Sequence, residues 1–252
     1  MSTTLDLVTR GSMTAKNGFA NEDFVRNEFN CWRTSSLSQS WLIEMGYIIE
    51  EIEYVHAEKL SGYKTDVQVS VSVTIKLKRL TDIQNLQVKL MSNRSGFNQI
   101  DKRWVDKYAE LWNMNSDEMR ILKHYTGELA PYIDNPRDPR RMFIDEMDKY
   151  DQELILRFLD FNKFLIVSDI LKGRGEFHAE WMLVILKTAN EFDWVLKSMN
   201  YAMNYFGNGD IVITNQGNIK IGNITMQRKG GDGGRPSANM LQFKINPAKL
   251  FS

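Results

Sequence analysis

The chain is poor in cysteine. Cys31 stands alone among 252 residues, which excludes an internal disulfide; set in a helix-like stretch, it reads as an inert packed thiol in a reducing cytoplasm. An excess of charge of one sign is missing too. The 32 Lys and Arg balance 32 Asp and Glu, so global charge does not announce a nucleic-acid partner. No apolar run is long enough to cross a bilayer, and Met1 to Ser12 lacks the apolar core of a secretory signal, so no membrane partner is expected. The three histidines, His56, His124 and His178, show no metal-ligand spacing, which argues against zinc. Gly173-Arg174-Gly175 lacks the Lys-Ser/Thr ending of a phosphate-binding P-loop. There is no internal repeat.

What is present is a chain long enough for one large domain or two closely joined ones, of ordinary apolar and charged content. Acidic residues gather early, at Glu44, Glu50, Glu51 and Glu53, a stretch read as helical. Basic residues gather in Lys76 to Arg79, Arg137 to Arg141, and Arg228 with Lys229. A neutral protein with such patches can still hold DNA on one face. Apolar spacing predicts helices over Asn21 to Trp32, with Asn21 as N-cap, and Ser38 to Met45, ending at Gly46. From Val67 to Lys78 the period becomes two, a half-buried strand, and Asp82 to Leu90 is a second. Trp104 to Trp112, Ser116 to Tyr125 and Phe143 to Phe161 read as helices, and Asn135 to Pro139 as a loop between halves. Phe164 to Ser168 reads as a strand, Trp181 to Leu186 as a strand or buried helix, and Trp194 to Phe206 as a helix. Short strands follow at Ile211 to Thr214, Ile219 to Ile221, Ile224 to Arg228 and Leu241 to Ile245.

The alternation places Gln87 and Lys89 on one face of their strand, with Asp66 in register with the polar face of the neighbouring one. A carboxylate, an amide carbonyl and an ammonium so grouped suit phosphodiester hydrolysis. That reaction needs an activated water, charge neutralisation on the phosphate and help for the leaving oxygen, and Mg²⁺ with oxygen ligands supplies much of this. Asp66, the Gln87 carbonyl and the Val88 backbone carbonyl are the candidate metal ligands. Lys89 orients the water or stabilises developing charge, and Glu22, on the first helix, reaches the site through a water. Taken alone, the triplet also fits a plain polar strand edge.

Longer strings narrow the choice. Gly18-Phe19 with Asn21-Glu22, Leu60 to Lys64, Gln87 to Leu90 and Gly96 to Lys102 occur in this order. Thr126 to Leu129, Gly173 to Gly175, Gln227 to Asp232 and Ala238 to Lys244 complete the set. Over nearly its whole length the chain resembles the small type II restriction endonucleases of the HinP type, cousins of MspI in the PD-(D/E)XK nuclease superfamily. The resemblance implies Mg²⁺-dependent cleavage of double-stranded DNA at the palindrome GCGC, with Asp66, Gln87 and Lys89 at the catalytic positions. Gln87 departs from the usual acid of the superfamily, as it does in this branch. Thr65 stands where close relatives have Ser, and the interval from Asp66 to Gln87 is slightly longer.

A G·C target suits the residues around it. Arg228 or Lys229 can donate to guanine O6 and N7, and Asp232 can accept from the cytosine amino group, with Gln227 beside them. Asn98, Gln99 and Lys102 follow the catalytic strand and are expected near the cleaved backbone, and Arg174 is a phosphate or base candidate. The expected fold is α/β: a mixed central sheet flanked by helices over residues 1–135 carries catalysis, and a β-rich part over 136–252 reads DNA. The resemblance further implies a monomer or weak homodimer, and a cognate DNA methyltransferase as a genetic partner. Two rivals remain: a structure-specific repair or junction nuclease on the same scaffold, and a DNA-binding protein that does not cut.

Overall fold

The computed structural model describes residues 20–64, 66–75, 78–231 and 235–252, with side chains described outside 70–79. Contacts group these residues into two compact units, each assembled from separate stretches of chain. The first unit takes residues 20–96, Lys172–Ala202 and Asn246–Ser252; the second takes Phe97–Leu171 and Met203–Ile245. This partition interleaves the chain, whereas the boundary at 135/136 read from the sequence is linear.

In the first unit, helix α1 covers residues 20–30 and α2 covers Ser36–Glu44. Val25, Phe29 and Trp32 are buried at helical spacing, with Trp41 and Leu42 from α2. Residue 20 is already helical, so Asn21 lies within α1 and is not its cap. Ser35 is the N-cap of α2, its hydroxyl accepting from the Ser38 N–H at 3.1 Å. Cys31 is exposed in the turn after α1, not packed.

The sheet of this unit runs β1-β2-β3-β5-β6, with strands β1 Ile52–Lys59, β2 Val67–Ile75, β3 Lys78–Met91, β5 Trp181–Lys187 and β6 Phe192–Ser198. All neighbours are antiparallel except β3 and β5, which makes the sheet mixed. One sheet face, with Val67, Val69, Leu86, Val88, Leu183 and Ile185, buries against α1 and α2. The edge strand β1 is covered rather than open. Asn30 on α1 donates to the Ala57 carbonyl and accepts from the Ala57 N–H, both at 2.9 Å.

The second unit holds an antiparallel sheet in the order β4-β10-β9-β8-β7. Its strands are β4 Asn98–Arg103, β7 Ile211–Ile213, β8 Ile219–Ile221, β9 Ile224–Arg228 and β10 Leu241–Ile245. Helices α3 Val105–Trp112, α4 Ser116–Thr126, α5 Lys149–Phe161 and α6 Lys163–Leu171 belong to the same unit. Phe243 of β10 packs edge-on against Tyr108 and Trp112 of α3, at 5.4 and 5.9 Å between ring centres. Such pairs contribute roughly 0.5–1.5 kcal/mol beyond their buried area.

Two element assignments differ from those read in the sequence. Phe164 to Ser168 lies inside α6. Its buried residues, Ile166, Val167, Ile170 and Leu171, recur at helical spacing while Phe164 is exposed. Trp194 to Ser198 belongs to strand β6, and helix α7 begins only at Met199, running to Gly207. Of the acidic stretch read as helical, Glu44 lies in α2 and Glu50 and Glu51 in a 3₁₀ turn, Ile49–Glu51, while Glu53 lies in strand β1. No helix among the described residues is long and apolar enough to cross a membrane.

Candidate active site and nucleic-acid interface

The register of β2 and β3 assembles the site. Val67 pairs with Leu86 and Gln68 with Asn85, so one more step sets Asp66 against Gln87. The Asp66 N–H donates to the Leu86 carbonyl at 2.8 Å, and its own carbonyl accepts from the Leu60 N–H at 3.1 Å. Its carboxylate Oδ2 accepts from the Val88 N–H at 2.7 Å, a charge-assisted bond that locks the side chain onto β3. Lys89 Nζ stands 3.9 Å from the same oxygen.

Leu86 and Val88 face the helices, and the alternation sends Gln87 and Lys89 to the opposite face with Asp66. Gln87 is 2 % exposed, and its Oε1 has no hydrogen-bond partner among the described residues. An unpaired buried carbonyl costs about 1–3 kcal/mol. The site therefore carries an acceptor that folding alone leaves unsatisfied.

Glu22 of α1 joins the cluster. Lys59 Nζ lies 3.4 Å from Glu22 and 3.4 Å from Asp23. Burial pushes the Glu22 carboxyl above its usual range and the Asp66 charge adds to this, while Lys59 and Lys89 oppose it. Burial also raises Asp66, against the pull of Lys89, the Val88 N–H and Lys64. Two carboxyls held up in this way gain from an added cation.

The residues present suit a divalent metal. The orphaned Gln87 Oε1 is a neutral oxygen ligand, Asp66 is an anionic one, and the Val88 carbonyl belongs to the same strand. No group of three or more His, Cys, Asp or Glu that could hold a metal occurs among the described residues. Such a site depends on oxygens brought by water and substrate.

Arg174 belongs to this unit. It is exposed between Gly173 and Gly175, which have φ of +81° and +77°. A Cβ on Gly173 would fall 2.5 Å from Lys64 Cγ, and Tyr63 and Phe177 pack 4.5 Å apart. The two loops thus meet beside Asp66. Buried Asn85 anchors them: its Oδ1 accepts from Gln68 Nε2, its Nδ2 donates to the Glu176 carbonyl, and its N–H donates to Glu180.

The other recognition candidates lie in the second unit. Asn98, Gln99 and Lys102 are on strand β4 and not in a loop, with Gln99 and Lys102 exposed. Gln227 and Arg228 end β9, and the Lys229 N–H donates to the Met240 carbonyl at 2.8 Å. Arg228 Nε and Nη2 donate to Asn239 Oδ1 at 3.2 and 2.6 Å, and Asn239 donates to the Gly127 carbonyl at 2.8 Å. Burial, then the charges of Arg140 and Arg141, pull Arg228 below its usual range. Arg228, Arg140 and Arg235 line one cavity of about 520 Å³. Asp232 lies outside the described residues.

Sequence reading missed Lys59, whose only local signal is its place at the end of β1. It also missed Asn85, whose partners come from 17 and more residues away.

The profile of the R.HinP1I restriction endonuclease family matches residues 45–251. Among solved structures, that of restriction endonuclease MspI in complex with its cognate DNA is similar, at a TM-score of 0.64 and 12 % identity. The match covers 94 % of this chain and 92 % of that one. A comparison with curated protein sequences gives no match. The fold is that of MspI, and the family implies use of a divalent metal. With the family profile spanning both units, the chain belongs to the R.HinP1I restriction endonuclease family and is a type II site-specific deoxyribonuclease.

Proposed function

We propose that the enzyme hydrolyses one phosphodiester bond in each strand of double-stranded DNA at GCGC, using Mg²⁺ at Asp66, Gln87 and the Val88 carbonyl. The observation that supports this most is the buried, unpaired Gln87 Oε1 beside the Asp66 carboxylate and Lys89. Mg²⁺, when bound, supplies charge neutralisation at the phosphate and acidifies water. Asp66 holds its carboxylate in place through the Val88 N–H. Lys89 Nζ donates to the attacking water or to charge developing on the phosphate. Glu22, its carboxyl raised by burial and by Asp66, accepts a proton from water near neutral pH more readily than an ordinary surface glutamate.

In this reading the first unit is catalytic and the second reads DNA through Asn98, Gln99, Lys102, Gln227, Arg228, Lys229 and Asp232, with Arg174 on the phosphate side. The Asn239 bonds preorganise Arg228 for a guanine edge. The enzyme acts in the cytoplasm, as a monomer or weak dimer, alongside a methyltransferase of matching specificity.

The test is digestion of unmethylated plasmid DNA with Mg²⁺, followed by sequencing of the ends. Discrete ends at GCGC are expected. Discrete ends at another tetranucleotide would overturn the specificity, and cutting only at junctions or lesions would favour a repair nuclease.

A further inference from the structure

Gln242 is the second residue of β10, the strand between β4 and β9. Its neighbours Leu241 and Phe243 are fully buried on the apolar face, so Gln242 faces the other way. There it sits across from Lys102 on one side and Gln227 on the other. Gln242 is only 5 % exposed, and its Oε1 has no partner among the described residues. Its Nε2 donates to Gln99 Oε1 at 2.5 Å.

The bond depends on an irregularity. The β10–β4 register slips between Phe243 and Lys244, so that Phe243 pairs with Asp101 but Lys244 with Gln99. A regular ladder would set Gln99 against Ile245, on the apolar face. The bulge carries Gln99 to the polar face, within reach of Gln242. With its carbonyl pinned to a buried amide, Gln99 keeps its amino group as the hydrogen-bonding end on its exposed side.

We propose that Gln242 is a positioning residue that fixes the Gln99 amide amino-outward, so that Gln99 acts as a donor selecting an acceptor on a guanine edge. This rests on the endonuclease reading above and names a residue and an amide polarity within it. An unconstrained glutamine offers either end and accepts either a base donor or a base acceptor. A pinned one discriminates between them.

The test measures binding of fluorescent GCGC duplexes, with Ca²⁺ in place of Mg²⁺ and at matched salt. Duplexes carry natural guanine or 7-deazaguanine, 2-aminopurine or 3-deazaguanine, which remove N7, O6 or N3. The parent protein is expected to lose about tenfold in affinity for at least one analogue. Of the analogues the parent discriminates, at least one is expected to be bound like guanine by both Gln99→Leu and Gln242→Leu. A folded Gln242→Leu protein that discriminates like the parent overturns the proposal, as does a site-specific parent indifferent to all three analogues. Should Gln242→Leu not fold, Gln242→Glu serves. Its carboxylate only accepts, which draws the Gln99 amino group inward, and retained discrimination again overturns the proposal. A parent that binds GCGC no better than scrambled duplex would instead overturn the target reading itself.

Discussion

Asp66 carries a burial cost to the fold that its proposed role as a metal ligand would explain. Its carboxyl is raised by burial, so in the folded chain the ionised form is disfavoured. A group of this kind contributes stability that is full below its unfolded pKa and is lost as pH rises through the folded value. Above the folded value that contribution is gone, and the buried charge then weighs against the fold. Asp66→Asn, neutral at every pH, is therefore expected to melt at or above the parent temperature at pH 7 without metal, and to lose cleavage. Metal at a hundred times its Kd should stabilise the parent by about 2.7 kcal/mol and the variant far less. Thermal melts with and without Mg²⁺ check this; an equal metal response in both proteins would remove Asp66 from the ligand set. The grouping of Asp66, Gln87 and Lys89 was legible because strand alternation and the family resemblance pointed at the same positions. Glu22 was legible from its place on the predicted first helix, and the family strings include it. Lys59 and Gln242 were not, because an ion pair across α1 and β1 and an amide pair across a bulge leave no local pattern.

At the scale of elements, the loops that frame the site are as specific as the strands. Gly173 and Gly175 both adopt positive φ, yet only Gly173 has Lys64 against it. Left-handed backbone costs a non-glycine residue about 1–2 kcal/mol. Gly175→Ala should lose roughly that amount. Gly173→Ala should lose more, and should also slow cleavage by displacing Lys64 beside Asp66. Denaturant melts of the two variants decide this, and equal losses would contradict the close packing. The strands β2 and β3 were readable because Val67 to Ile75 and Leu86 to Leu90 alternate cleanly. β4 was not, since Asn98-Gln99-Ile100-Asp101 buries Ile100 and Asp101 in succession across its bulge. α6 was misread because Phe164-Leu165-Ile166-Val167 is a short apolar run that suits either period.

For the molecule as a whole, one cluster of this kind occurs among the described residues, so each encounter is expected to cut one strand. Net charge is zero, and under the proposed function DNA affinity is expected to come from local groups such as Lys102, Arg174 and the arginines around Arg228. The deciding measurement is a time course on a supercoiled plasmid with a single GCGC site, in Mg²⁺, for the parent and Lys89→Ala. The parent should pass through a nicked circle before the linear form. Lys89→Ala should bind the site yet cut more slowly by about a hundredfold or more. A Lys89→Ala protein that cuts at the parent rate would place the chemistry somewhere other than the Asp66–Gln87–Lys89 face.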